Sequence, residues 1–162
     1  MTTELPSSKE IRDLIMGVVG RDVDFTIEGE ALTPNNCYGG IIVGEYFNDV
    51  LGSLALIAMD LPLAAYVGAA LALIPPGGAE AALEDGYLSE SLLDNAYEVL
   101  NIAASLFNKE GKPHLRIGPL YDTARAMLPG EIHSWLVGAV PRIDAVVDVH
   151  GYGQGRIAVL IR

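Results

Sequence analysis

"SLALIAMDLPLAAYVGAALALI", residues 53–74, is apolar for about the length of a membrane-spanning helix. Read as one span, it makes a membrane protein. Read as two elements, it makes a strand running into a helix. Asp60 and Pro62 interrupt the run near its middle, and the flanks lack the basic residues that anchor a span. Asp is a preferred helix N-cap, and Pro is tolerated in a first helical turn. We therefore read "LGSLALIAM" (51–59) as a buried strand and "LPLAAYVGAALALI" (61–74) as a helix capped by Asp60. No membrane partner is expected.

Working outward, "CYGGIIVGEYF" (37–47) and "VLGSLALIAM" (50–59) form a hairpin around Asn48-Asp49. "DVDFTI" (22–27) alternates as a strand, and "TPNN" (33–36) is a loop. "SSKEIRDLIMGVV" (7–19) reads as a helix, with Ile11, Leu14, Ile15 and Val18 on one face and Gly20 ending it. "PPGGAEAALEDG" (75–86) reads as a linker with one possible helical turn. The longest helix is expected over about Ser89–Asn108. "PHLRIG" (113–118) is a candidate strand, "LYDTARAML" (120–128) a short helix, and "RIDAVVDVH" with "GRIAVLIR" a strand pair around "GYGQ".

A chain of 162 residues, 51% hydrophobic, is expected to form one domain over 1–162. Its order of elements repeats: helix, Gly, strand, loop, hairpin, once in about 8–74 and again in about 88–162. The fold class is α+β, a mostly antiparallel sheet backed by two long helices on one face, with a pseudo-twofold between the halves. Two unrelated α+β hairpins are the alternative.

The formal net charge is −11, so a phosphate backbone would be repelled and nucleic acid is not an expected partner. A single cysteine, Cys37, permits no intramolecular disulfide and no cysteine-based zinc site. "MTTELPSSKE" lacks the basic-then-apolar order of a signal peptide, and a cytoplasmic location is expected. His114, His133 and His150 show no metal-ligand spacing, so no metal site is expected. "GYGQG" (151–155) lacks the Lys and following helix of a phosphate loop and reads as a hairpin turn. Trp135, in "IHSWLVG", reads as a core or dimer-contact aromatic.

The long helix carries a polar stripe. At about 100° per residue, Asp94, Glu98 and Asn101 fall within about 60° of one another, with Glu90, Ser105 and Asn108 extending the line. Leu93, Ala96, Val99, Leu100, Ala103 and Phe107 take the other side. A solvated face is the plain reading of such a stripe. Two details argue against it: no Lys or Arg stands at helical spacing to pair with the acids, and Asn101 is a poor helix former at mid-helix.

The pattern Asp94-x3-Glu98-x2-Asn101 on a long surface helix resembles the active-site motif of the CheC, CheX and FliY chemotaxis phosphatases. "YGGIIVGEYFNDVLGSLALIAMD" (38–60) is similar to that family's strand-turn-strand passage, and the resemblance extends over about residues 8–162. Glu-x2-Asn alone is a weak signal and recurs as "EYFN" (45–48), but there on a strand and turn. The helix of residues 7–19 has no Glu-x2-Asn, so one site per chain resembles the CheX type, which implies a homodimer.

The resemblance implies dephosphorylation of the phosphoaspartate on a response-regulator receiver of CheY type. Asn101 would orient the attacking water and Glu98 would contact the receiver's active-site Lys. Asp94, Glu90 and Ser105 would face the partner. No cofactor is implied for this chain; Mg²⁺ is expected in the receiver. There are departures. Ala124 stands where CheC-type members have a proline, and segments 75–86 and 120–141 are long. A non-catalytic adaptor of the same fold, and a stand-alone structural or small-molecule-binding domain, are the other readings.

Overall fold

The computed structural model describes residues 2–162. The run at 53–74 divides where Asp60 stands. Strand β3 (Gly52–Asp60) ends on it and helix α2 (Leu61–Leu71) begins after it. The buried Asp60 carboxylate accepts a hydrogen bond from the Leu63 amide at 3.0 Å, and Pro62 sits in the first turn. β3 pairs with β2 (Ile41–Asn48) on one side and β6 (Gly153–Ile161) on the other, both antiparallel. A central strand covered on both faces buries successive residues, which explains the unbroken apolar run from Ala55 to Met59. Among the described residues no helix is long and apolar enough to cross a membrane.

The remaining elements are α1 (Ser8–Val19), β1 (Val23–Ile27), α3 (Pro76–Asp85), α4 (Glu90–Ile102), a 3-10 turn (Ala103–Leu106), β4 (Arg116–Asp122), α5 (Gly130–Val137) and β5 (Arg142–Val149). The sheet is α+β in class, with all strand pairs antiparallel and the order β1-β5-β6-β3-β2-β4. That order reads the same from either edge when β1, β2 and β3 are matched with β4, β5 and β6. The halves also interleave: β1 pairs with β5 and β4 with β2, so each half completes the other's sheet.

Two cores flank the sheet. The larger lies under the helices, where Ile15, Ile57, Val67, Val99, Phe107 and Val159 meet. The smaller lies on the opposite face, where Trp135 and Leu136 of α5 pack with Leu32, Leu56 and Leu160. Helices therefore cover both faces, not one. A half-buried charge cluster ties this second layer down: Arg142 pairs with Asp144 at 2.8 Å and donates to the carbonyls of Leu136 and Leu32, while the Leu32 amide donates to Asp144 at 2.7 Å.

Three local expectations are corrected. The segment 75–86 is a helix, α3, because Pro76 suits a first turn, Ala79 and Ala82 are buried, and Gly86 ends it at φ 81°. The long helix stops at Ile102 and tightens into the 3-10 turn instead of running to Asn108. "LYDTARAML" is not a helix: Leu120–Asp122 complete β4, and Asp122 then accepts the Ala124 amide and pairs with Arg125 in a turn. The next helix is α5, which begins at Gly130 and whose buried Ile132, Trp135 and Leu136 recur at helical spacing.

Candidate functional site

Helix α4 begins at Ser89, whose hydroxyl accepts from the Leu92 amide at 3.2 Å. Glu90 follows in the first turn, where a carboxylate suits the helix dipole. Leu92, Ala96, Val99 and Leu100 form the buried side. Gly68 of α2 permits a close crossing, since a Cβ there would lie 3.1 Å from the Leu92 carbonyl oxygen and 3.4 Å from the Ala96 nitrogen.

Beneath the C-terminal turn, the hydroxyl of buried Tyr46 donates to the Leu100 carbonyl, one of the orphan acceptors of a helix end. Burial pushes the Tyr46 phenol well above its ordinary pKa and keeps that donor protonated. Its ring stacks tilted on Phe107 at 5.1 Å. Position 101 is thus held from below by a packed, hydrogen-bonded support.

Asp94, Glu98 and Asn101 project from the other side, exposed, together with Glu90. Ser105 is also exposed but sits on the 3-10 turn, where the α-helical register of the stripe has ended. Among the described residues, none of these five side chains enters an ion pair. Each is available to a second molecule. Tyr97 and Ile102, exposed by 37% and 38%, flank the stripe on its two sides. Asn108 leaves it altogether: its amide exchanges hydrogen bonds of 2.8 and 2.7 Å with the Leu115 backbone and clamps the loop before β4. The sequence could not show this, because it depends on the helix ending early.

The other candidates resolve as structural. Among the described residues no group of three His, Cys, Asp or Glu is placed to hold a metal. The Cys37 thiol is pushed up by burial, away from the reactive thiolate. Gly151 and Gly153, at φ 87° and 151°, turn the β5–β6 hairpin. Trp135 lies in the second core with the Arg162 guanidinium 4.1 Å over its ring.

No family model and no curated protein matches the sequence. Solved structures match its fold. A chain of the Helicobacter pylori FliM–SpeE complex superposes with a TM-score of 0.63 at 9% identity, over 95% of this chain and 80% of that one. Thermotoga maritima FliY superposes at 0.53 with 15% identity, over 95% and 88%. A chain of the Borrelia burgdorferi CheX–CheY–BeF3–Mg²⁺ complex superposes at 0.51 with 13% identity, over 98% and 99%. The fold is that of FliM, FliY and CheX. At these identities the likeness is one of architecture.

Proposed function

We propose that this protein is a CheX-like phosphatase of a phosphorylated, CheY-type receiver, working in the cytoplasm as a homodimer. One observation carries the reading: Glu98 and Asn101 stand one turn apart on the outer face of a helix fixed from below, and among the described residues no ion pair engages Glu98. An acyl phosphate is already labile. A helper protein need only hold a water in line with phosphorus and match the charge that develops. The Asn101 carboxamide both donates and accepts, so it can hold that water while facing a phosphoryl oxygen. Glu98 offers a carboxylate to the receiver's active-site Lys, which orients the two proteins. Asp94, Glu90 and Ser105 extend the contact. Mg²⁺ in the receiver supplies charge neutralisation at the phosphoryl group. This chain forms no covalent intermediate.

A second reading has its own support. FliM, whose solved complexes include FliG and SpeE, superposes at 0.63, and Ala124 departs from the CheC-type proline. In that reading α4 binds a receiver or switch partner without hydrolysis. The decay of ³²P-labelled receiver, with and without the protein, separates the two. Acceleration that is lost in Asn101→Ala supports the phosphatase. Binding without acceleration by the folded wild-type protein supports the adaptor. Sedimentation of the purified protein tests the homodimer.

A further inference from the structure

Beside the N-terminal half of α4 the chain leaves a cleft of about 180 Å³. Leu93 of α4 forms one wall. Leu120, Tyr121 and Asp122 at the end of β4 and the turn residues Arg125, Ala126 and Met127 line the rest. The turn is held rigid. Arg125 pairs with the buried Asp122 carboxylate and donates to the Leu88 carbonyl at 2.7 Å, one residue before the Ser89 cap. That ties the turn to the start of α4 and neutralises the one base that lines the cleft among the described residues. Met127, 94% exposed, stands uncovered at the rim.

The charged groups lining the cleft, Asp122 and Arg125, pair with each other, and the acids nearest to it along α4 flank Leu93 in sequence. Glu90 and Asp94 lie three residues before and one after Leu93 on α4, and neither has a basic partner among the described residues. A mostly apolar hollow beside the exposed carboxylates of α4, on a chain of net charge −11, fits an apolar side chain set among Lys or Arg. A Met rim suits such an insertion, because its unbranched thioether adapts to the incoming group.

We propose that this cleft is the partner-selecting half of the docking surface. It accepts one apolar side chain of the receiver, flanked there by Lys or Arg, while Asn101 acts about 12 Å further along the helix, at 1.5 Å per residue. The inference rests on the receiver-phosphatase reading and divides its labour. Residues 90–97 and the 120–128 turn choose the receiver; Glu98 meets its active-site Lys and Asn101 acts on its phosphoryl group.

The test measures affinity and rate separately. The probes are the CheY-type receivers of the source genome, loaded with Mg²⁺ and BeF3⁻ for binding by calorimetry and with phosphate for turnover. Met127→Glu, at an exposed position, is expected to weaken binding about tenfold or more, with the rate at saturation within about twofold of wild type. Met127→Leu is expected to bind normally. Unchanged affinity in Met127→Glu, with circular dichroism showing a folded protein, overturns the proposal. Asn101→Ala should do the reverse, keeping affinity and losing rate. If Asn101→Ala keeps its rate, the phosphatase reading fails, and the cleft is still judged by the Met127 affinities. If the wild-type protein binds no receiver, both are overturned.

Discussion

Helices α1 and α4 open the two halves of the molecule and occupy corresponding places in the repeat, yet their polar faces are spent differently. On α1 the charges are answered within the chain. Lys9 and Arg12 pair with Asp13 at 2.7 and 3.1 Å, and Glu10 closes a capping box with Ser7 and meets Lys109 at 3.0 Å. On α4, Glu90, Asp94 and Glu98 have no such partner among the described residues. The α1 face secures the fold. Among the described residues the α4 acids make no comparable ion pairs, which is the contrast on which the proposed docking face rests.

The largest expected effect lies on α4. Asn101→Ala should cost about 10²-fold in stimulated dephosphorylation, the scale of losing one positioned hydrogen-bonding group, with the thermal midpoint unmoved. A fall in stability of the same variant would instead make Asn101 structural and break the contrast with α1. Below that comes the support of the site. Tyr46→Phe should destabilise the protein by about 1–3 kcal/mol in urea denaturation, because the buried Leu100 carbonyl loses its donor. It should also lower the rate by loosening the turn that carries Asn101.

The acids themselves sharpen the comparison. Glu98→Gln should leave stability within about 0.5 kcal/mol of wild type while weakening receiver binding. Glu10→Gln should lower stability by a few tenths of a kcal/mol, about the size of an exposed ion pair, with no effect on binding. The Glu10 carboxyl is held below its ordinary pKa, first by the Ser7 amide and then by Lys109. Its contribution is therefore present above the ordinary carboxylate range and lost as pH falls through the lowered value.

The smallest effect is at the β1 edge. His150 meets Asp24 at 3.0 Å, and that hydrogen bond raises its pKa. The stabilisation is present below the ordinary imidazole range and lost as pH rises through the raised value. An NMR titration of His150 should show the upward shift, and Asp24→Asn should remove it.

What the sequence by itself determined was local. The Asp60 break, the hairpins and the apolar stripe of α4 follow from dihedral preferences and short-range periodicity, and each is present. The motif residues Asp94, Glu98 and Asn101 were legible for the same reason, since four- and three-residue spacing on a helix fixes a shared face. Where local signals conflicted, tertiary contacts prevailed. Pro and Gly made 75–86 look irregular, but burial of Ala79 and Ala82 stabilises α3. "LYDTARAML" has helical spacing, but β2 offers Leu120, Tyr121 and Asp122 a ladder of hydrogen bonds.

Only the tertiary structure decided how the halves interleave, that α5 covers the far face, and that Asn108 serves the loop rather than the stripe. It alone showed that, among the described residues, the carboxylates on α4 go unpaired while those on α1 do not. Pairing depends on which side chains come together across long sequence separations, and the spacing along one strand or helix carries no record of that.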